Sequence, residues 1–120
     1  MYNLERRRVV LGVGGSVAAY KAVDLASQLT RLGAQVDVVL TRAATRFVTP
    51  LSFTSVTLRP AYVDMFKDSL REPEVHVRLG READVVVVAP ATASLLARLA
   101  LGMAQDLVSL AVLCTRAPLV

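Results

Sequence analysis

Apolar residues along this chain form two patterns, short continuous runs and longer helical repeats. The continuous runs are typical of strands that are buried on both faces of a parallel sheet. They occupy Arg8–Val13, Gln35–Leu40 and residues 84–89. A weaker run at 59–66 predicts a short strand, and residues 117–120 resemble a strand that is just beginning. We therefore expect four strands and the start of a fifth.

Helical periodicity fills the intervals between these runs. Ser16 is a good N-cap for a first helix, and Gly33 provides a stop for it. Thr49 and Pro50 begin a second helix, because proline is tolerated at the first helical position. The remaining predictions are a polar loop at 68–73, a short helix that carries His76, and helices at 93–103 and 105–113. This alternation predicts an α/β fold, a Rossmann-like three-layer sandwich around a doubly wound parallel sheet.

Length and composition bound the size and location of the protein. The 120 residues suit a single domain, residues 1–120. Apolar residues make up 54% of the chain, which is enough for a core and leaves apolar surface for a partner subunit. No apolar segment before Val9 resembles a secretory signal, and every apolar stretch is too short to span a membrane. We therefore expect a cytoplasmic homo-oligomer without a membrane partner.

The net charge of +4 raises the question of a nucleic-acid partner. The 14 basic residues are spread along the chain, and the only run is Arg6 to Arg8. No basic stripe alternates with aromatic residues. We interpret the run as a solvated flank, with a polyanion contact as the minor alternative. No nucleic-acid partner is expected.

Two side chains with reactive chemistry occur once each, His76 and Cys114. Cys114 lies in an apolar stretch, which favours a small buried side chain over a nucleophile, and a single cysteine excludes a disulfide within the chain. His76 lies on a polar stretch that leads into the strand at 84–89. Histidine can change its charge near neutral pH, so a structural and a catalytic role both stay open. No metal site is assigned.

Ligands of such sheets bind at the carboxyl ends of the strands. The glycine-rich turn Gly14, Gly15, Ser16 follows the first strand and opens the first helix. Glycines let a backbone approach a ligand closely, and the unpaired N–H groups at a helix start suit phosphate. The Ser16 hydroxyl can add a hydrogen bond. The alternative is a tight turn in which Ser16 is an ordinary cap.

Two further loops offer polar groups at the same edge of the predicted sheet. Thr41 and Thr45 follow the second strand, and their hydroxyls suit a phosphate or ribityl chain, or else simple helix capping. The third loop, residues 89–94, has small side chains that leave space for a flat ligand, with polar edges at Thr92 and Ser94. Together the loops suit a flat, phosphorylated ligand.

A dinucleotide fits this pattern poorly. The dinucleotide fingerprint requires a third glycine where Val17 stands, and an acidic residue at the end of the second strand, where Thr41 and Arg42 stand. Asp37 lies inside that strand and is a poor substitute. These departures argue against NAD, and Arg42 leaves NADP as a minor alternative.

Four motifs together resemble a known family. They are G-S-V-A-A-Y-K at 15–21, T-R-A-A-T-R-F-V at 41–48, H-V-R-L-G-R-E-A-D at 76–84 and A-P-A-T-A-S at 89–94. In this order and spacing they are similar to the flavoprotein family of homo-oligomeric flavin-containing cysteine decarboxylases, and most similar to its phosphopantothenoylcysteine decarboxylase branch. The resemblance covers essentially the whole chain.

The resemblance implies an enzyme that uses FMN to decarboxylate the small molecule 4′-phospho-N-pantothenoylcysteine to 4′-phosphopantetheine, a step of coenzyme A biosynthesis. In that chemistry the substrate thiol is oxidised to a thioaldehyde before CO2 leaves. The resemblance also implies a trimer-based homo-oligomer, with His76 as the active-site histidine. The implied FMN-binding residues are Gly15, Ser16, Val17, Thr41, Phe47, Thr92, Ala93 and Ser94.

Two departures from the family's pattern keep other functions open. Ser94 stands where the family has asparagine, and the chain ends at Val120, before the family's P-A-M-N motif and reducing cysteine. Cys114 comes too early to be that cysteine. We therefore expect an incomplete domain, inactive alone, that lacks the substrate clamp. The alternatives are a non-catalytic or regulatory FMN-binding protein of the same fold, and a flavin prenyltransferase, which the context of His76 disfavours.

Overall fold

Four parallel strands form one sheet in the computed structural model, which describes residues 3–63 and 74–120. The strands are β1 (Arg8–Val13), β2 (Gln35–Leu40), β3 (Ala61–Tyr62) and β4 (Val85–Val88), in the order β3-β2-β1-β4. The chain therefore moves from β1 to one side of the sheet and returns to the other side with β4. The predicted parallel sheet is confirmed.

Helices follow the strands in the predicted alternation. They are α1 (Ala19–Arg31), α2 (Pro50–Thr57), α3 (Val75–Glu82), α4 (Ala93–Leu101) and α5 (Leu107–Cys114), with a 3-10 turn at Ala44–Arg46. No helix of the two described ranges is long and apolar enough to cross a membrane.

The core lies on both faces of the sheet. On one face, alternate residues of β1 and β2 pack against α1 and α2, where Ala26 and Phe53 are fully buried. On the other face, the intervening residues pack against the remaining helices through Leu79, Leu95 and Leu107. Side chains of a strand alternate between its faces, so each strand of the centre contributes to two cores. This arrangement is the predicted three-layer sandwich.

The burial of β4 differs from the prediction. Five of the six residues of β1 and of β2 are buried, but only Val86 is buried in β4. On its outer side β4 contacts a single short segment, where the Val86 N–H donates to Pro118 O at 2.9 Å and Val120 N–H donates to Val86 O at 2.8 Å. These bonds form an isolated parallel bridge between Val86 and Leu119. The segment predicted to begin a strand therefore pairs with β4 without being a strand of the sheet, and it covers β4 less completely than a full neighbouring strand would.

The start of the first helix is also corrected. Ser16 is not its N-cap, because α1 begins at Ala19 after Ala18. The Ser16 hydroxyl instead accepts the N–H of Ala18 at 3.1 Å and closes a local turn ahead of the helix. A serine hydroxyl bonds readily to the backbone two residues on, which competes with capping. Gly33, with a φ of +99°, follows the helix as predicted.

Other boundaries shift by small amounts. Thr49 caps α2 as predicted, by accepting the N–H of Ser52 at 3.2 Å. The helix predicted at 93–103 ends at Leu101, because Gly102 adopts a left-handed conformation. The helix predicted at 105–113 is α5, whose start is fixed by its cap Asp106. Residues 64–66 of the predicted short strand and the predicted loop at 68–73 lie outside the described residues.

A buried ion pair holds the middle of β2. Asp37 is 3% exposed, and its Oδ1 accepts from the Arg59 Nε at 2.9 Å. A buried carboxylate needs such a partner, because removal of its hydration is unfavourable. Arg59 lies between α2 and β3, so the pair fastens that connection to the sheet.

Helices α3 and α5 touch at Gly80, and this contact yields a stability prediction. A Cβ at Gly80 would lie 2.8 Å from the carbonyl carbon of Cys114 and 2.9 Å from Ala111 O. We expect Gly80→Ala to lower the free energy of unfolding by about 1–3 kcal/mol, because the helices must move apart. Chemical denaturation measures the change.

The control for this prediction is the exposed helical position Ala97. There helix propensity alone acts, so Ala97→Gly should destabilise the fold by about 1 kcal/mol. The folded state is thus expected to be more stable with alanine at position 97 and with glycine at position 80. A Gly80→Ala protein more stable than the parent would contradict the close contact.

Candidate functional site

Three loops meet at the carboxyl edge of the sheet. We name them loop 1 (residues 14–18, after β1), loop 2 (residues 41–49, after β2) and loop 3 (residues 89–92, after β4). β1 and β4 are neighbours, and the chain leaves them in opposite directions. Loops 1 and 3 therefore lie at the topological switch point, where ligands of open α/β sheets bind.

Loop 1 contacts loop 3 through backbone atoms. The Gly14 N–H donates to Pro90 O at 3.0 Å, and just ahead of loop 1 the carbonyl oxygen of Gly12 in β1 accepts the Ala89 N–H at 2.9 Å. A Cβ at Gly14 would lie only 2.5 Å from Pro90 O. Any side chain at position 14 would therefore separate the two loops.

Loop 1 contacts loop 2 in the same manner. A Cβ at Gly15 would lie 2.5 Å from the Cβ of Ala43 and 2.6 Å from its carbonyl carbon. We predicted that the glycines let the backbone approach a ligand. The structure gives Gly14 and Gly15 a further use, which is to bring the three loops into contact with one another.

Loop 1 presents three consecutive backbone N–H groups. Those of Gly15, Ser16 and Val17 donate to no acceptor within residues 3–63 and 74–120. Successive unpaired N–H groups ahead of a helix attract anions. A cavity of about 200 Å³ lies between α1 and loop 3, and Ala18 at the end of loop 1 contributes to its lining. Its lining includes Lys21, Ala89 and Pro90.

The threonine hydroxyls of loop 2 are engaged with backbone. Thr41 is buried, and its Oγ1 donates to Val13 O at 3.4 Å and accepts the Ala44 N–H at 3.2 Å. The Thr45 hydroxyl donates to Arg42 O at 2.6 Å. Neither hydroxyl caps the 3-10 helix, whose N-cap is Ala43 without a side-chain bond, so the capping alternative is not what these contacts show. They stabilise the backbone conformation of loop 2.

Loop 3 leads directly into α4. The Thr92 hydroxyl caps this helix by accepting the Leu95 N–H at 3.1 Å. Ala93 and Ser94 are exposed in its first turn, and the Ser94 hydroxyl accepts from Arg98 at 2.7 Å. On loop 2, Phe47 is 51% exposed. All three loops therefore present groups that a ligand can reach.

His76 is the second residue of α3. Because α3 returns the chain to the start of β4, its N-terminal end lies toward the carboxyl edge of the parallel sheet. The ring is partly buried, and its Nδ1 is buried with no hydrogen-bond partner in the described part of the chain. No hydrogen bond of the described residues therefore accounts for the position of Nδ1.

Cys114 lies at the opposite edge of the sheet. It is partly buried, and with Arg81, Asp84 and Arg116 it lines an open groove of about 670 Å³ near the start of β4. We expected a small buried side chain, whereas the structure leaves Cys114 partly buried at this groove. Cys114 is therefore separate from the three loops.

Arg98 and Asp106 lie near the site and were not predicted from the sequence. Arg98 bonds both Ser94 and Asp106. The signal was available in part, because residues four apart on a helix are neighbours. The bond across the turn from α4 to Asp106 could not be read from spacing alone.

The chain belongs to the flavoprotein family, since the model of that family matches residues 1–119. Among curated relatives, it is 43% identical to the coenzyme A biosynthesis bifunctional protein CoaBC of Vibrio vulnificus strain YJ016. The match includes 98% of this chain and 29% of the relative. The chain thus spans less than a third of the length of that relative.

Two solved structures are similar over nearly the whole chain. The FMN-dependent cysteine decarboxylase TvaF from thioviridamide biosynthesis gives a TM-score of 0.85 at 30% identity, over 95% of this chain and 70% of that one. The C175S mutant of PPC decarboxylase complexed with pantothenoylaminoethenethiol gives 0.80 at 29% identity, over 96% and 65%. The family match and these neighbours show that the cofactor of this protein is a flavin.

The buried hydroxyl of Thr41 yields a second stability prediction. Thr41→Val keeps the shape of the side chain and removes both of its hydrogen bonds, while Val13 O keeps the Thr41 N–H and the Ala44 N–H keeps Thr41 O. We expect the free energy of unfolding to fall by about 1–2 kcal/mol in chemical denaturation. The exposed Thr45→Val should stay within about 0.5 kcal/mol of the parent. Equal effects of the two substitutions would contradict a special role of Thr41 in loop 2.

Proposed function

We propose that the chain binds FMN and is the flavin-binding part of an enzyme that decarboxylates 4′-phosphopantothenoylcysteine to 4′-phosphopantetheine. The relatives named CoaBC and the PPC decarboxylase neighbour support this substrate. The TvaF neighbour, an FMN-dependent cysteine decarboxylase, supports the cofactor and the reaction type. The observation in the chain itself that carries the proposal is the set of unpaired N–H groups in loop 1.

The FMN phosphate is proposed to bind loop 1. Gly15, Ser16 and Val17 would donate their backbone N–H groups to phosphate oxygens. The Ser16 hydroxyl already accepts the Ala18 N–H, so its proton is free to donate. Lys21, which lines the cavity between α1 and loop 3, adds positive charge. A phosphate monoester fits this arrangement because it offers several oxygens and a double negative charge.

A dinucleotide is less well accommodated. NAD binding calls for an acidic side chain at the end of β2 to hold the ribose. Asp37 is buried in the middle of that strand and paired with Arg59. Thr41, at the strand end, is buried and engaged with the backbone. FMN needs no such group, which favours it.

The isoalloxazine ring is proposed to bind between loops 2 and 3. Phe47 offers an apolar surface, and Thr41 shapes the loop that carries it. Thr92, Ala93 and Ser94 would border the ring on the other side, where small side chains leave room for a flat ligand. When bound, the flavin would supply a two-electron acceptor for the substrate thiol.

His76 is proposed as the catalytic residue. The residue is only partly buried, so the exposed part of its ring can meet a substrate, and its buried Nδ1 has no partner among the described residues. It belongs to α3 rather than to the three loops, which suits contact with substrate instead of phosphate. The role is therefore separable from FMN binding.

A homo-oligomer built from trimers is proposed for the assembled protein. The described surface exposes large apolar side chains, among them Leu51, Leu96 and Leu101 at 74%, 53% and 75%. Apolar exposure of this kind is typical of surfaces that bind another subunit. A second candidate, a flavin-binding protein without turnover, is favoured by Ser94 in place of the family's asparagine. It would bind FMN and release no CO2.

The phosphate position is tested by a charge substitution. We expect Ser16→Asp to weaken FMN binding at least tenfold, because it places a negative charge beside the phosphate. Titration of FMN fluorescence gives the dissociation constant. The control Ser55→Asp adds the same charge at an exposed position of α2 and should change affinity by less than about twofold. Normal FMN affinity in Ser16→Asp would remove loop 1 as the phosphate site.

The role of His76 is tested by comparing binding with turnover. We expect His76→Asn to bind FMN within about twofold of the parent and to lose most CO2 release from 4′-phosphopantothenoylcysteine. The assay uses the longest protein that the gene encodes, since the relatives extend beyond this chain. Full turnover in His76→Asn would reduce the histidine to a structural residue, and FMN binding without turnover in the parent would favour the second candidate.

A further inference from the structure

Ser94 belongs to a network of charge-assisted hydrogen bonds. The Arg98 Nη1 donates to Ser94 Oγ at 2.7 Å. The same guanidinium donates from Nε and Nη2 to Asp106 Oδ2, at 3.2 and 3.1 Å. The other carboxylate oxygen of Asp106 accepts the N–H and hydroxyl of Ser109, at 2.8 and 2.9 Å. The first turn of α4 is thereby fastened to the start of α5.

These hydrogen bonds fix the position of the Arg98 guanidinium. The side chains of Arg98 and Asp106 are only 23% and 18% exposed, so their bonds compete with little water. Asp106 is itself held as the cap of α5. The guanidinium of Arg98 is rigid and planar, so few other orientations would let it bond both Ser94 and Asp106. Ser94 therefore meets a cation with a defined place.

The bond from Arg98 sets the polarity of Ser94. A guanidinium has only donors, so the Ser94 oxygen must accept in this contact. The hydroxyl proton finds no acceptor among the described residues. A hydroxyl that accepts from a cation becomes a stronger donor, because hydrogen bonds in a chain polarise one another. Ser94 is thus prepared to donate.

We propose that Arg98 is a positioning residue for the flavin: it orients Ser94 so that the hydroxyl donates to an acceptor on the bound ring. The inference rests on the proposed FMN site. Oxygen and nitrogen atoms at the polar edge of an isoalloxazine ring accept hydrogen bonds. The proposal adds a function to Arg98, which lies outside all four family motifs.

The same arrangement explains how serine can stand in place of asparagine. An asparagine at position 94 would accept from Arg98 with its carbonyl oxygen and donate to the ligand with its NH2 group. Serine performs both tasks with one oxygen. The direction of the hydrogen bonds is retained although the amide is lost.

The test is a double-mutant cycle in FMN affinity, measured by fluorescence titration. We expect Ser94→Ala and Arg98→Met each to weaken binding about fivefold, the effect of one hydrogen bond. The double variant should also lose about fivefold rather than about 25-fold, since both changes remove the same bond. Arg98→Lys, which keeps a charged donor, should restore affinity to within about twofold. The control Arg31→Met, exposed at the far end of α1, should have no effect.

Two further readouts separate positioning from mere support of the fold. The absorption spectrum of bound FMN should shift alike in Ser94→Ala and Arg98→Met, because both remove the same donor from the ring. Ser94→Asn changes an exposed side chain and should bind FMN at least as tightly as the parent. Additive losses, or weak binding by Ser94→Asn, would overturn the inference while FMN binding by the parent stands. A parent that binds no FMN would contradict the proposed function as well.

Discussion

The contact of three loops depends on two adjacent positions that carry no side chain. Gly14 admits the carbonyl oxygen of Pro90, and Gly15 admits Ala43, each within a distance that a Cβ would fill. The backbone bond from the Gly14 N–H to Pro90 O forms only at that separation. Because the loops support one another, the N–H groups of loop 1 are held in place without a ligand. Such preorganisation reduces the ordering that binding requires.

Much of this fold could be predicted from local pattern. β2 occupies the residues that its apolar run marks, and Thr49 with Pro50 begins α2. Both signals are local, since they depend on periodicity and on the first turn of a helix. The predicted cap at Ser16 was wrong because a hydroxyl has two nearby N–H groups to choose from, and sequence does not rank them. The full burial predicted for β4 was wrong because burial depends on the neighbouring strand, which the run itself does not describe.

In the candidate site, too, features set by neighbouring residues were predictable, and contacts between residues far apart in sequence were not. The loops were predicted from strand ends, glycines and hydroxyls. The use of Gly14 and Gly15 was not, because it depends on Pro90 and Ala43, which are far away in sequence. The bond between Arg98 and Asp106 likewise joins two helices across a turn. Distances between elements decide these contacts, and no spacing along one element encodes them.

The opposite edge of the sheet is held by charge. Arg8 and Asp84 exchange two hydrogen bonds, from the Arg8 N–H to the carboxylate at 2.7 Å and from the Asp84 N–H to Arg8 O at 2.8 Å. Glu82 accepts from both Arg8 and Arg78. The charged tethers thus lie at one end of the strands, and the candidate ligand groups lie at the other. Such a molecule is evolvable, because substitutions in the loops can alter ligand preference while the tethers that keep the strands in register stay intact.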